Sequence, residues 1–231
     1  MTKLKSIYRA DIKSRMKKFL INLKILKTSK WNRENDLIKR EYKNYSEYVK
    51  HQASKLELLD LTAYDQKYFD ALVKRYFEKK SYLQGRSLLC LGARTGSECK
   101  AFVELGAFAV GIDLNPGKSN KYVLNGDFHN IQFADSSIDI VFSNTLDHCY
   151  DLNKLMVEID RILKPSGFFY VELVKGNKDL GGRNPGKFES MWWDSINEVS
   201  TKIESYGLGV VETEDFNYPW NGVRLIFRKA V

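Results

Sequence analysis

The stretch Ser87-Leu88-Leu89-Cys90-Leu91-Gly92-Ala93-Arg94-Thr95-Gly96-Ser97-Glu98 decides the fold of this chain. It reads as a buried strand, a glycine turn and the start of a helix, and the strand Val110-Gly111-Ile112-Asp113 follows soon after it. Main-chain amides in a glycine turn are open to a ligand, and an acid that ends the next strand can bind two neighbouring ribose hydroxyls. The pattern predicts a site for a nucleoside cofactor.

The spacing of the glycines narrows the choice of ligand. A dinucleotide fold uses Gly-x-Gly-x-x-Gly so that a pyrophosphate can approach a helix N-terminus. This loop instead has Gly92-x-x-x-Gly96, with Arg94 at the position of the middle glycine. The phosphate-loop pattern Gly-x-x-x-x-Gly-Lys-Ser/Thr is absent as well. The loop therefore argues against a dinucleotide or a nucleoside triphosphate.

Further segments complete an ordered set with the glycine loop. They are Gly126-Asp127-Phe128, residues 138–144, Leu146-Asp147-His148 and residues 158–167. Together these residues resemble the class I S-adenosylmethionine-dependent methyltransferases, from about Leu88 to Leu173. The resemblance implies a Rossmann-like α/β fold whose seven-stranded sheet is mostly parallel, with an antiparallel last strand. It also implies S-adenosyl-L-methionine as the cofactor.

The resemblance assigns roles to residues at the ends of the predicted strands. It implies that Gly92 and Gly96 let the loop approach the methionine part of the cofactor. Asp113 would accept hydrogen bonds from the ribose, and Asp127 from the adenine amino group. The implied cofactor residues are Gly92, Ala93, Arg94, Gly96, Asp113, Leu114, Asp127, Phe128 and Asn144. The alternative for single positions is a local role, such as a turn glycine or a cap at Asp127.

Two positions depart from the family pattern. Cys90 stands where the family usually has an acid, and a thiol cannot accept the amino group of the cofactor as a carboxylate would. Arg94 replaces a later glycine and would form a bidentate pair with the carboxylate of the cofactor. The alternatives are that Arg94 faces solvent or pairs with Glu98, or that the site is degenerate and binds the cofactor weakly or not at all.

The candidate base lies after the fourth predicted strand of the sheet. Methyl transfer to a hydroxyl needs an aligned nucleophile and a base that takes its proton. His148 is the first candidate, and Asp147 would orient it or act as the base itself. A packing or capping role for His148 is the alternative. The chain lacks the Asp/Asn-Pro-Pro-Tyr/Phe and Pro-Cys patterns of nucleobase methyltransferases, which disfavours those reactions.

Composition fits one α/β core with an appendage. The 231 residues, 43% of them apolar, suffice for such a core without disulfides. We expect residues 1–80 to form a basic helical extension or lid and residues 81–231 to form the cofactor-binding domain. The three cysteines have unrelated spacings and predict neither a metal site nor a disulfide framework. Without a membrane-spanning run or a signal-peptide pattern, we expect a cytoplasmic protein.

The excess of basic residues belongs to the N-terminal segment. Residues 1–50 hold 15 Lys and Arg against 5 Asp and Glu, whereas the whole chain has a net charge of +8. Apolar residues at helical spacing line residues 4–26, and basic residues fill the other face. Residues 1–30 would therefore contact a membrane surface or a polyanion peripherally, or pack on the core or on a second copy of the chain in a homo-oligomer.

Periodicity predicts the remaining elements. Two helices are expected before the sheet, over residues 37–56 and 64–77, where they would cover the mouth of the site. Their tyrosines would line a pocket or, as the alternative, serve as half-buried packing residues. Strands are expected at Ser87–Leu91, Phe108–Asp113, residues 122–124, Ile138–Ser143, residues 168–174, Leu208–Phe216 and residues 222–228. Helices are expected at residues 95–105, residues 152–163, where Pro165-Ser166-Gly167 would end the helix, and residues 188–206.

These expectations combine into one leading hypothesis and two alternatives. The leading hypothesis is an O-methyltransferase that acts on a small molecule or a saccharide. The first alternative is a non-catalytic protein of the same fold, whose basic segment binds a membrane or a polyanion. The second is an RNA methyltransferase, whose RNA binding would fall steeply with salt.

Overall fold

The computed structural model describes residues 15–16, 18–21, 30–34 and 37–230. Most of the predicted amphipathic helix over residues 4–26 lies outside this range. Within it, residues 15–16 and 18–21 are helical, and the side chains of Met16, Phe19 and Leu20 are exposed. No helix in the described part of the chain is long and apolar enough to cross a membrane.

The ten strands of the described residues form a main sheet of seven strands and a small sheet of three. The strands are β1 (Trp31–Glu34), β2 (Leu37–Arg40), β3 (Ser87–Leu91), β4 (Phe108–Asp113), β5 (Val123–Asn125), β6 (Ile138–Ser143), β7 (Leu163–Val174), β8 (Met191–Trp192), β9 (Leu208–Phe216) and β10 (Gly222–Lys229). The main sheet has the order β5-β4-β3-β6-β7-β10-β9, and β1, β2 and β8 form a small second sheet. In the main sheet, the five neighbouring strands β5, β4, β3, β6 and β7 run parallel to one another. Strand β10 runs antiparallel to both of its neighbours, β7 and β9. The predicted sheet with its reversed last strand is confirmed.

Helices cover both faces of the main sheet. They are α1 (Tyr45–Leu58), α2 (Thr62–Arg75), α3 (Lys80–Leu83), α4 (Ser97–Glu104), α5 (Leu152–Ile162) and α6 (Ile196–Glu204), with short 3-10 turns at Phe77–Lys79 and Leu146–His148. Successive side chains of a strand point to opposite faces, so Leu88 and Cys90 of β3 pack in one hydrophobic cluster and Leu89 and Leu91 in the other. The first cluster contains buried residues of α2 and α4, and the second those of α5 and α6.

The predicted helix over residues 188–206 is wrong in its first half. Trp192 pairs with Ile38 across the small sheet, so this segment is extended. The helix α6 begins after Ser195, whose side chain accepts a hydrogen bond from the amide of Glu198. Phe188 and Trp192 are four residues apart, which is the spacing of a helix face. The partner strand of Trp192 lies far away in the sequence, and local periodicity does not show it.

Two other predicted boundaries also differ from the structure. Leu37 and Ile38 belong to β2, and the first of the two predicted helices begins only at Tyr45, after the capping side chain of Asn44. The helix α5 ends at Ile162, and β7 starts directly at Leu163. Pro165-Ser166-Gly167 therefore lies inside β7, where the register with β6 shifts, and does not separate a helix from a strand.

A buried ion pair joins α2 to the middle of the sheet. The guanidinium of Arg75 donates to the carboxylate of Glu172 on β7, which also accepts the Tyr68 hydroxyl at 2.8 Å. Both side chains of the ion pair are buried, and burial raises the pKa of Glu172. This contact places α2 across the sheet beside the carboxyl ends of the parallel strands. The predicted boundary at residue 80, between the N-terminal extension and the cofactor-binding domain, stays a prediction.

We expect Arg75→Ala to lower the free energy of unfolding by about 3–5 kcal/mol, because Glu172 would remain buried without its cation. The matched control is Lys164→Ala, which removes a lysine whose side chain is 41% exposed and pairs with Asp139. It should cost about 0–1 kcal/mol. Chemical denaturation monitored by circular dichroism measures both, and equal losses in the two variants would contradict this role of the pair.

Candidate active site

The loop after β3 requires glycine at its first position. Gly92 has a φ of +66°, in the left-handed region that favours glycine. A Cβ at this position would lie 2.4 Å from the Thr145 hydroxyl oxygen. That hydroxyl donates to the Leu91 carbonyl at 3.1 Å, so it cannot move away without losing this bond. The bare backbone therefore lets the ends of β3 and β6 approach each other closely.

The rest of the loop has the same unusual backbone. Gly96 has a φ of +91° and lies directly before α4. Arg94 has a φ of +46°, so an arginine adopts the conformation that glycine favours at the position where the family has a glycine. Its guanidinium lies 3.7 Å from the carboxylate of Asp65 on α2, and this acid, not Glu98, is its ion-pair partner. Ala93 is buried beneath the loop.

The Asp113 carboxylate links the two loops at the ends of β3 and β4. One oxygen accepts the Arg94 amide at 2.9 Å, and the other accepts the Asn115 amide at 2.7 Å. Each carboxylate oxygen has a second lone pair, so both can still accept a hydroxyl donor. The residue is half-buried and faces a cavity. This geometry suits an acid that holds a diol.

The first cavity lies over these loops. It is lined by Tyr48, Gln52, Lys55, Leu56, Gly92, Arg94, Asp113, Leu114, Asn115, Phe128, Thr145 and His148. Five of the predicted cofactor residues are among them, at positions 92, 94, 113, 114 and 128. The helix α1 supplies one wall through Tyr48, Gln52 and Lys55. Sequence reasoning predicted a covering helix here, but the pattern did not single out Lys55 or Gln52.

Asp127 lies beside the first cavity and does not line it. Its carboxylate accepts the Tyr45 hydroxyl at 2.5 Å, and the amide and ring Nδ1 of His129 at 2.9 and 2.8 Å. Burial raises the pKa of Asp127, but these hydrogen bonds outweigh it and hold the pKa at about 2. The group is therefore a firm carboxylate acceptor. Its predicted contact with adenine stays a prediction.

A buried amide and a buried acid lie behind the glycine loop. Asn144 donates from Nδ2 to Glu98 at 3.1 Å, and its Oδ1 is buried without a hydrogen-bond partner among the described residues. Burial raises the pKa of Glu98 to about 7. A buried acceptor without a donor fits the amino group of the implied cofactor, which Cys90 cannot bind as a carboxylate would. Sequence reasoning did not assign Glu98 to the site.

A second cavity adjoins the first. It is lined by Lys55, Leu61, Tyr64, Arg94, Asn144, Thr145, Asp147, His148, Val174, Lys175, Gly181, Arg183, Glu189, Trp220 and Asn221. The two cavities share Lys55, Arg94, Thr145 and His148 as a common wall. Both predicted catalytic residues, Asp147 and His148, therefore face the second cavity. Trp192 and Trp193, in contrast, are buried in the protein.

The ring of His148 has partners on both nitrogens. Its Nδ1 lies 2.9 Å from the Phe188 carbonyl, which can only accept, so Nδ1 carries the proton. The other nitrogen, Nε2, then accepts from the Lys55 ammonium at 3.0 Å. Burial and the charge of Lys55 hold the pKa of His148 well below its usual range. The Asp147 carboxylate is 3.9 Å from Nε2, so the Phe188 carbonyl, and not Asp147, orients the ring.

Asp147 has the properties of a proton acceptor at neutral pH. It is 6% exposed, and burial, together with the negative charge of Glu189, raises its pKa to about 7. A base works best when its pKa is near the working pH. The backbone holds it firmly, because its carbonyl accepts the Ser190 amide at 2.7 Å. The catalytic roles of His148 and Asp147 both stay predictions.

Comparison with known proteins matches the region that contains this site. The sequence pattern of a family described as "Methyltransferase domain" matches residues 89–171. A bifunctional biotin biosynthesis protein of Cellvibrio japonicus is 32% identical over 95 residues, which cover 36% of this chain and 19% of that protein. A malonyl-[acyl-carrier protein] O-methyltransferase of Coxiella burnetii is 29% identical over 112 residues, which cover 45% of this chain and 40% of that protein. The chain thus spans less than half the length of either relative.

The fold agrees with solved methyltransferase structures. The 1,6-didemethyltoxoflavin-N1-methyltransferase of Burkholderia thailandensis, solved with S-adenosylhomocysteine, superposes with a TM-score of 0.63 at 13% identity. The match covers 87% of this chain and all of that one. The strand order, the glycine loop with its acid at the end of the next strand, and the matched family pattern lead to one assignment. Residues 89–171 match a methyltransferase domain, and the chain has the fold of the class I S-adenosylmethionine-dependent methyltransferases.

Proposed function

We propose that this chain transfers the methyl group of S-adenosylmethionine to an oxygen atom of a small molecule. The observation that carries the proposal is the wall shared by the two cavities. A cofactor held in the first cavity and an acceptor held in the second would meet at Thr145 and His148. Bringing two reactants together in a fixed orientation supplies much of the rate enhancement of such a transfer.

The residues of the first cavity fit the cofactor. When bound, S-adenosylmethionine supplies an electrophilic methyl group on a sulfonium. Asp113 would hold the ribose hydroxyls, and Leu114 and Phe128 would contact the adenine. Arg94 would pair with the carboxylate, and the buried Asn144 oxygen would accept the amino group. Asp113, Arg94 and Asn144 would thus serve the ribose, the carboxylate and the amino group, with Asn144 in the wall of the adjoining second cavity.

Asp147 would take the proton of a hydroxyl acceptor. His148 is the weaker base, because protonating its Nε2 would place a second positive charge 3.0 Å from the Lys55 ammonium. Asp147 lies in the same wall, and its pKa of about 7 leaves a large carboxylate fraction at neutral pH. In this proposal, His148 holds the Lys55 ammonium in position, and Asp147 removes the proton of the acceptor.

The Coxiella burnetii relative supports oxygen as the methylated atom and a small acyl group as the acceptor, since its name states an O-methyl transfer to a malonyl group. A saccharide hydroxyl is also an oxygen acceptor, and Asp147 would accept the proton that it loses. The RNA and non-catalytic alternatives differ from this proposal in measurable ways. An RNA methyltransferase would bind RNA through its basic segment. A non-catalytic protein would not convert S-adenosylmethionine to S-adenosylhomocysteine.

Removal of the Asp113 carboxylate should weaken S-adenosylhomocysteine binding about ten- to hundredfold. The reason is the loss of charged hydrogen bonds of roughly 1.5–3 kcal/mol to the ribose. Calorimetric titration of Asp113→Ala measures the affinity, and circular dichroism checks the fold. Asp135→Ala is the control, since this acid is exposed and pairs with Arg161 at the surface. Unchanged affinity in a folded Asp113 variant would reject the ribose contact.

Asp147→Asn should lower turnover by about 10²–10⁴-fold and leave S-adenosylhomocysteine affinity unchanged, because only proton removal is lost. In the wild type, the rate should rise as the pH passes through about 7, where Asp147 loses its proton. The turnover of His148→Gln should fall much less, because the glutamine side chain still offers Lys55 a hydrogen-bond acceptor. The assay is mass spectrometry of a small-metabolite extract incubated with methyl-deuterated S-adenosylmethionine. The reverse order of the two variants would return the role of base to His148.

The basic segment gives a further prediction. A chain that lacks residues 1–29 should still bind S-adenosylhomocysteine, since the lining of the first cavity begins at Tyr48. If the segment is a membrane anchor, the intact chain should sediment with anionic liposomes at low salt, and the truncated chain should not. Liposome binding that survives the truncation, or that is absent from the intact chain, would contradict the anchor.

A further inference from the structure

We propose that the second cavity binds a small organic carboxylate through the ammonium group of Lys55. This inference rests on the proposed function, because it names the class of acceptor that the same site takes. The acceptor would present its carboxylate to Lys55 and a hydroxyl to Asp147. The Lys55 side chain lies in the wall that separates the two cavities, next to the place of transfer.

Lys55 differs from the other cations of this cavity by its lack of an acid partner. Arg183 pairs with Glu189 at 2.8 Å, Lys175 with Asp215 at 2.9 Å and Arg94 with Asp65 at 3.7 Å. Among the side chains that the structure describes, no carboxylate lies within 4.0 Å of the Lys55 ammonium. Its charge is therefore the one that a bound anion can neutralise at short range.

The partner that Lys55 does have carries no charge. The ammonium donates to Nε2 of His148, a neutral imidazole, and lies 5.9 Å from the centre of the Phe188 ring. Burial lowers the pKa of Lys55, and the nearby Arg94 lowers it further. Asp147, Glu189 and Asp113 act on this charge only from a distance, so the buried ammonium lacks an anion in direct contact, and a bound carboxylate would supply one. The two remaining ammonium protons can be donated to carboxylate oxygens.

The surrounding walls favour a monoanion on an organic body. Asp147 and Glu189 line the same cavity, so a dianionic phosphate would meet two further acids. A carboxylate brings a single negative charge that one ammonium can balance. Leu61, Tyr64, Val174 and Trp220 offer apolar and aromatic surface to the rest of the molecule. Among the described residues, the cavity therefore combines one cation that has no acid partner with apolar walls.

The carboxylate of the cofactor is the competing occupant of Lys55. Arg94 lies on the glycine loop itself and is positioned for that group, whereas Lys55 is tied to His148 on the side of the second cavity. The two assignments predict opposite effects of removing the ammonium. If Lys55 serves the acceptor, carboxylate binding falls and cofactor binding stays. If it serves the cofactor, S-adenosylhomocysteine binding falls.

The test uses the full-length protein saturated with S-adenosylhomocysteine. Benzoate and butyrate are titrated by ligand-observed NMR, each against its neutral isostere, benzamide or butyramide. We expect each carboxylate to bind at least about tenfold more tightly than its amide. Lys55→Gln should cut carboxylate affinity about ten- to hundredfold and leave amide affinity and S-adenosylhomocysteine affinity unchanged. Lys55→Arg should retain most of the preference for the carboxylate.

Lys178→Gln is the matched control. This lysine is 61% exposed, pairs with Asp194 and Glu198, and lines neither cavity, so its loss should change nothing. Equal binding of carboxylates and amides by the wild type, or binding of neither, would overturn the proposal. A Lys55→Gln variant that loses S-adenosylhomocysteine and keeps the carboxylate would overturn it as well. Failure of the proposed function is distinct, because it appears as absent S-adenosylhomocysteine binding before any carboxylate is added.

Discussion

The close approach of Gly92 to Thr145 is the constraint on which the site depends. No other residue fits at position 92, because a Cβ would lie 2.4 Å from a hydroxyl that is bonded to the Leu91 carbonyl. This contact holds the carboxyl ends of β3 and β6 together and leaves room above them. The first cavity opens over the bare backbone, and Thr145 continues into the wall of the second. One missing side chain thus places the two cavities next to each other.

The second cavity is assembled from segments that lie far apart in the sequence. Glu189 lines it, and hydrogen bonds from the N-terminal segments hold residues 186–190 in place. Arg40 donates to the carbonyls of Gly186, Lys187 and Glu189, and Gln52 donates to the Phe188 carbonyl. His148 donates to the same Phe188 carbonyl from below. A substitution in α1 or β2 would therefore alter the second cavity, even though both elements lie outside the matched region, residues 89–171.

Local sequence was sufficient for the strands of the main sheet. The bounds of β3, β4 and β6 are as predicted, because apolar runs between turn residues mark parallel strands. The bounds of β9, an edge strand that pairs antiparallel with β10, are also as predicted. Local sequence failed where pairing is long-range. The helix predicted from Phe188 was wrong at Met191–Trp192, which pairs with β2. The site followed the same rule: Asp113 and Gly92 were predicted from adjacent motifs. Lys55 was missed, because its importance comes from His148, which lies 93 positions away in the chain.

The central claim is that the first cavity is a site for S-adenosylmethionine, despite Cys90 and Arg94 at positions where the family differs. Calorimetric titration of the wild-type protein with S-adenosylhomocysteine tests it most directly. The account predicts saturable binding at a single site, together with a rise in Tm that grows with ligand concentration. Absence of both heat and thermal shift in the folded protein would contradict it.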